Sequence, residues 1–132
     1  MADLGVERAD FVAVPVRDLP RAARFYGETL GLQQNPNTGP RWIEFELGNV
    51  SLALVSPEVM GSEWEPEGHQ MPIALRVPDV EEARRKLEAE GVKFDHATID
   101  SGVCHLATFR DPDGNAIQLH RRYAPYSDGS LP

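Results

Sequence analysis

Phe11-Val12-Ala13-Val14-Pro15-Val16-Arg17-Asp18 is matched in pattern, further along the chain, by Pro72-Ile73-Ala74-Leu75-Arg76-Val77-Pro78-Asp79. In each stretch apolar or β-branched residues hold every second place (Val12, Val14, Val16; Ile73, Leu75, Val77), the period of a strand that buries one face. Each stretch then hands over to a helix. Asp18 and Asp79 suit helix N-caps, because a carboxylate can accept from amides that the first helical turn leaves free, and Asp79 with Glu82 has the spacing of a capping box. Gly31 and Gly91 suit the ends of these helices, where the chain turns into the left-handed region. A strand and helix used twice make an internal repeat, and that repeat frames the other elements.

Short turns organise the strands after each helix. Arg41 to Leu47 and Val50 to Ser56 flank Gly48-Asn49, a two-residue hairpin turn, and Val103 to Arg110 and Ala116 to Arg122 flank Asp111-Pro112-Asp113-Gly114. Val92 to Ile99 reads as a further strand ahead of the last hairpin. Its counterpart near Leu32 to Asn35 gives way to Asn35-Pro36-Asn37-Thr38-Gly39-Pro40, a loop. One domain over residues 1–132 is expected: module one at about 10–56, an acidic linker or flap rich in Pro and Gly at 57–71, module two at about 72–123, and a frayed tail at 124–132.

Composition narrows the function. The 132 residues carry 21 acidic against 13 basic side chains, a net charge of −8, with no run of Lys and Arg. Nucleic acid and anionic membrane surfaces call for a cationic footprint, so neither is an expected partner. No apolar run approaches the ~18 residues that cross a bilayer. The single Cys104 has no internal disulfide partner, and the segment from Met1 to Asp10 lacks the basic start and apolar stretch of a secretory signal, so a cytoplasmic location is expected. A small, neutral or cationic ligand suits this chain.

The repeated unit of strand, helix and three strands resembles the vicinal oxygen chelate superfamily, which includes glyoxalase I, bleomycin-resistance proteins, extradiol dioxygenases and small epimerases. Asp18 and Asp79 after the first strands, Phe25-Tyr26 and Leu30-Gly31-Leu32 in the first helix, and Asp111-Pro112-Asp113-Gly114-Asn115 before the last strand carry the resemblance. It covers about Asp10 to Tyr123. It implies an α+β fold, two βαβββ modules forming a cupped mixed β-sheet with helices packed on the convex face, a ligand in the cup, and a homodimer. In metal-using members the ligands come from the first and last strands of each module. Those positions fall here on Phe11, Ala53, Pro72 and Gln118. Three of them offer no side-chain donor, whereas zinc, iron or nickel needs three or four, so neither a metal nor another cofactor is expected.

Strand parity names the residues that line the cup. If Phe11 and Ala53 face it, Val12, Val14, Leu52 and Leu54 face the helices. The two-residue turn sets Glu44 opposite Ala53, Glu46 opposite Ser51 and Trp42 opposite Val55, turning all three toward the ligand. Arg76, Gln118 and His120 share the corresponding face of the second module. The last turn leaves two registers open. A Pro-Asp-Gly turn with a bulge pairs Thr108 with Gln118 and Leu106 with His120, bringing Cys104 to the cup face. A four-residue loop instead places His105 opposite His120, a displaced metal site if joined by Glu44.

The expected function is metal-independent binding of a small organic molecule by Phe11, Trp42, Glu46, Arg76, Cys104 and Gln118. Glu44 and His120 are the candidates for proton transfer should the protein be a lyase or isomerase rather than a dioxygenase. An accessory domain with an empty cup is the third reading.

Overall fold

The computed structural model of the chain describes residues 2–36, 38–61 and 63–132. Met1, Asn37 of the expected loop and Ser62 of the expected linker lie outside the described residues. The elements are β1 (Phe11–Pro15), α1 (Leu19–Arg24) continued by a π-helical segment (Phe25–Thr29), β2 (Ile43–Glu46), β3 (Ser51–Val55), α2 (Pro57–Met60), β4 (Ile73–Arg76), α3 (Val80–Ala89), β5 (Ile99–Asp100), β6 (Cys104–Arg110) and β7 (Ala116–Arg122). They form an α+β architecture of two mixed sheets, ordered β1-β3-β2 and β4-β7-β6-β5. In each sheet the module's first strand runs parallel to its last, and the remaining pairs are antiparallel.

Both helices start as their aspartates dictate. Asp18 accepts from the Arg21 amide and Asp79 from the Glu82 amide, each at 3.0 Å. The Glu82 side chain pairs with Arg85 instead of returning to the cap, so only half of the capping box forms. Gly31 and Gly91 have φ of 71° and 88°, the left-handed values that favour glycine at a helix end. Val14, Leu52 and Leu54 are fully buried and join Tyr26, Phe45, Phe109 and Ile117 in one core. Burying a side chain of this size contributes about 1.5–3 kcal/mol. Phe11 and Ala13, at the alternate positions of β1, are exposed.

Both hairpins have defined registers. Glu44 lies opposite Ala53 and Glu46 opposite Ser51, and the Leu47 amide donates to the Val50 carbonyl across Gly48-Asn49. In the last hairpin Asp111 closes on Asn115 with Gly114 at φ 85°, so Thr108 opposes Gln118 and Leu106 opposes His120. This is the bulged Pro-Asp-Gly register. His105 lies opposite Arg121 and not His120, so the alternative register that made the two histidines face each other is overturned.

The strand expected over Val92 to Ile99 is not continuous: it shrinks to a bridge between Phe94 and Phe109 and the two residues of β5. Arg84 of α3 donates to the His96 carbonyl and the Thr98 hydroxyl, so one carbonyl that a ladder would use goes to a guanidinium. The segment between the modules holds α2 and then docks. Arg17 donates to the Pro66 carbonyl, His69 N to Asn115 Oδ1, and Ala116 N to the His69 carbonyl. After Tyr123 the Ala124 and Pro125 carbonyls accept from the Arg122 guanidinium.

A buried polar cluster joins the modules. Asp111 Oδ1 accepts from the amides of Asp113 and Asn115, while Oδ2 accepts from Tyr26 OH at 2.7 Å and Asn115 Nδ2 at 2.8 Å. Asn115 Nδ2 also reaches the Pro15 carbonyl, and Asp113 accepts from the Arg17 amide. Burial first, and then the Asp111 charge, push the Tyr26 phenol far above its ordinary range.

Candidate functional site

On the first sheet's face away from the helices, β1 supplies Phe11, Trp42 stands just ahead of β2, and β2 supplies Glu44 and Glu46. Phe11 and Trp42 meet edge to face, with ring centroids 5.4 Å apart. Although Phe11 is a large apolar residue, 48% of its surface remains exposed. Ala13 and Ala53 lie side by side in the β1–β3 register and put only methyl groups between the flanking side chains.

Polar contacts fix the two carboxylates. Trp42 Nε1 donates to Glu44 Oε2 at 2.9 Å, and Ser51 Oγ donates to Glu46 Oε1 at 2.8 Å. Asn35 Nδ2 lies 3.3 Å from both Glu44 Oε1 and Glu46 Oε1, and 3.2 Å from Ser51 Oγ. Asn35 is held by its own amide, which donates to the Glu44 carbonyl beside the Gln34–Phe45 bridge. The donors on both carboxylates are therefore neutral. Among the described residues neither Glu44 nor Glu46 takes part in a salt bridge. The Ser51 hydroxyl and then the Asn35 amide hold the Glu46 carboxyl below its ordinary value.

Sequence reasoning placed Phe11, Trp42, Glu44 and Glu46 on one face but left Asn35 in a loop. Its signal was faint: Leu32 to Asn35 occupies the place of the missing strand, and only backbone bonds from Gln33 to Asn35 reveal that it still follows the sheet.

The second module's expected residues occupy the matching face of the other sheet. Gln118 donates its amide to Thr108 Oγ1 at 3.2 Å, and Arg76, exposed on β4, is the register partner of His120. Cys104 is buried with Sγ 3.1 Å from Ser101 Oγ. Among the described residues no hydrogen bond or ion pair links Phe11, Trp42, Glu44 or Glu46 to Arg76, Gln118 or His120. His105 lies on the opposite face, stacked on Tyr123 with centroids 4.9 Å apart and beside Asp100. A cavity of about 760 Å³ adjoins the start of α3, and one of about 560 Å³ is lined by Val12, Leu75 and Phe109 together with Glu46, Arg76 and Lys86.

The metal that the superfamily resemblance implies does not fit here. Phe11, Ala53 and Pro72 carry no side-chain donor, which leaves the Gln118 amide oxygen as the one donor of the four where three or four are needed. Among the described residues no three His, Cys, Asp or Glu side chains converge on a point where one ion could sit. No described helix is long and apolar enough to cross a membrane.

A family model for the Glyoxalase/Bleomycin resistance protein/Dioxygenase superfamily matches residues 8–119. Comparison with curated proteins finds no match. Among solved structures, a superfamily member from Sphaerobacter thermophilus is 26% identical with a TM-score of 0.75, covering 89% of this chain and 98% of its own. An antibiotic-binding protein from Streptomyces sp. CB03234 is 29% identical with a TM-score of 0.73, covering 91% and 99%. A lactoylglutathione lyase from Agrobacterium tumefaciens, 20% identical with a TM-score of 0.69 over 87% and 93%, shares the fold. The repeated modules, the Asp111 to Asn115 turn and the family match over residues 8–119 place this chain in the glyoxalase/bleomycin resistance protein/dioxygenase superfamily.

Proposed function

We propose that this protein binds a small organic molecule, without a metal, on the face carrying Phe11, Trp42, Glu44 and Glu46. The observation that carries the proposal is an exposed Phe11 against a half-buried Trp42, beside two carboxylates that are held by neutral donors and lack an ion-pair partner among the described residues. Aromatic rings offer apolar area at low conformational cost, and a few fixed polar groups give a ligand its orientation. The antibiotic-binding relative supports a binding role. Glu44 is committed to Trp42 and Asn35, and the cross-strand neighbour of His120 is Leu106, which favours binding over proton transfer.

The proposal includes a homodimer. β1 and β4 are edge strands of separate sheets, so each has one side that pairs with no strand of its own sheet, the kind of edge a second copy can cover. Arg76, Gln118 and His120 would meet the ligand from across the cup. A cytoplasmic location completes the reading.

Fluorescence of Trp42 tests it in a Trp64→Phe background, where Trp42 is the only indole. Saturable quenching by small aromatic compounds, lost in the Phe11→Ala variant without loss of fold, is the expected result. Quenching that does not saturate, or that survives Phe11→Ala unchanged, contradicts the assignment. Consumption of a bound compound would move the reading to an enzyme.

A further inference from the structure

We propose that Asn35 is a positioning residue that sets the charge preference of this face, holding Glu44 and Glu46 as a pair that selects a ligand with one delocalised cationic group, such as an amidinium or guanidinium. This inference rests on the binding role proposed above and deepens it.

The geometry is specific to one side-chain nitrogen. Asn35 Nδ2 stands 3.3 Å from an oxygen of each glutamate, so those two oxygens are at most about twice a hydrogen-bond length apart. Charges of one sign that close together oppose each other, and a neutral amide offsets this without cancelling either charge. A lysine or arginine at position 35 would satisfy the carboxylates internally and leave nothing for a ligand. The outer donors act in the same way. Trp42 Nε1 holds the far oxygen of Glu44 through the ring edge and so sets an indole beside the pair, while Ser51 holds Glu46. A planar cation suits this arrangement, since its N–H groups point to both carboxylates and its flat body can lie against an indole. A neutral molecule of the same outline lacks the charge that the pair is built to meet.

Glu44 and Glu46 come from β2, the β3 neighbour is the neutral Ser51, Arg8, bonded to Asp10, acts on Glu46 from the N-terminal segment, and Arg76 of β4 and Lys86 of α3 line the cavity that Glu46 also borders, without an ion pair to it among the described residues. Deleting the Asn35 amide removes one of the two hydrogen bonds that hold Glu46 charged, so its titration moves upward in pH.

Benzamidinium and its neutral isostere benzamide are the probes, titrated against wild type, Asn35→Leu and Asn35→Gln from pH 4 to 8. Wild type is expected to bind the cation roughly tenfold more tightly than the amide, the order of a charge-assisted hydrogen bond. Asn35→Leu should lose most of that preference, and its residual preference should fade at a higher pH than in wild type as acid is added. Asn35→Gln, which keeps the amide, should recover part of both. A purely structural defect would weaken both probes at every pH without moving the midpoint. If Asn35→Leu does not fold, Asn35→Ser, which keeps the backbone bond to Glu44, carries the same comparison. Failure of both probes to bind overturns the binding role itself. Equal binding of the two by wild type overturns the charge preference alone, and a preference unchanged in Asn35→Leu overturns the role of Asn35.

Discussion

Replacing Tyr26 with phenylalanine removes one oxygen from the contact that joins the modules and leaves the ring in place. Tyr26 is fully buried, and its hydroxyl donates to Asp111 Oδ2 at 2.7 Å. Losing a hydrogen bond to a charged group costs about 1.5–3 kcal/mol. Asp111 keeps three other donors, the amides of Asp113 and Asn115 and the Asn115 side chain, so it is not orphaned and the cost stays in that range. Asp111→Asn is the harsher test. It puts an NH₂ group where one oxygen received two protons, setting donors against donors in a buried site, at about 3–5 kcal/mol. A total stability of 5–15 kcal/mol is typical, so the second loss is a large share. For a domain of this size, at about 3–5 °C per kcal/mol, Tyr26→Phe should lower Tm by roughly 5–15 °C and Asp111→Asn by more.

The assay is thermal unfolding with urea titration as a check, and it has a pH arm. An unfolded tyrosine releases its proton near 10.0, whereas folded Tyr26 retains it well above that value. Its contribution is therefore complete below about pH 10 and lost as pH rises further, by at most about 1.4 kcal/mol per pH unit. Tyr26→Phe should flatten that alkaline slope. A Tm change under about 2 °C, or an alkaline slope the same in both proteins, would refute the assignment of this hydroxyl as an inter-module tie.

Three further outcomes are expected. Gly68→Ala should lower stability by about 1–3 kcal/mol in urea titrations, because its Cβ would lie 2.7 Å from the Asp113 carbonyl oxygen and 2.8 Å from the Gly114 carbonyl carbon, both backbone atoms. His105→Ala should leave benzamidinium affinity within about twofold of wild type, as His105 lies on the face opposite the aromatic pair and an exposed ion pair contributes little. The Glu46 carboxyl, held below its ordinary value by Ser51 and then Asn35, stays charged into mild acid; cation binding should persist there and fail only as pH falls through that lowered value, earlier in Ser51→Ala, measured by calorimetry.

The two hairpins were readable in advance because their turns have few conformational solutions. Gly48-Asn49 admits a two-residue link, and Pro112-Asp113-Gly114 admits a bulge with Gly114 left-handed, and each solution fixes which side chains share a face. Phe11, Trp42, Glu44 and Glu46 came from that parity. Val92 to Thr98 misled because its alternation is that of a strand, while the competing partner is Arg84, which lies on a helix and takes the His96 carbonyl. The docking of Pro66 to His69 was hidden for a related reason, since it runs through carbonyls and amides that every residue possesses. Asn35 combines both difficulties: a loop-forming residue in a Pro- and Gly-rich stretch, anchored by its backbone and acting through a side chain whose partners lie on another strand and across its hairpin.

The central claim is that ligand meets this chain at Trp42 and the paired glutamates. The indole N–H of Trp42, donating to Glu44 at 2.9 Å, is a resolved reporter in a proton–nitrogen correlation spectrum. On titration with benzamidinium, that resonance, the Asn35 side-chain amide and the backbone amides of Phe11, Glu44 and Glu46 should shift together along one saturable curve. Shifts confined to His105, Tyr123 and the start of α3, with the Trp42 indole unmoved at saturation, would contradict the account.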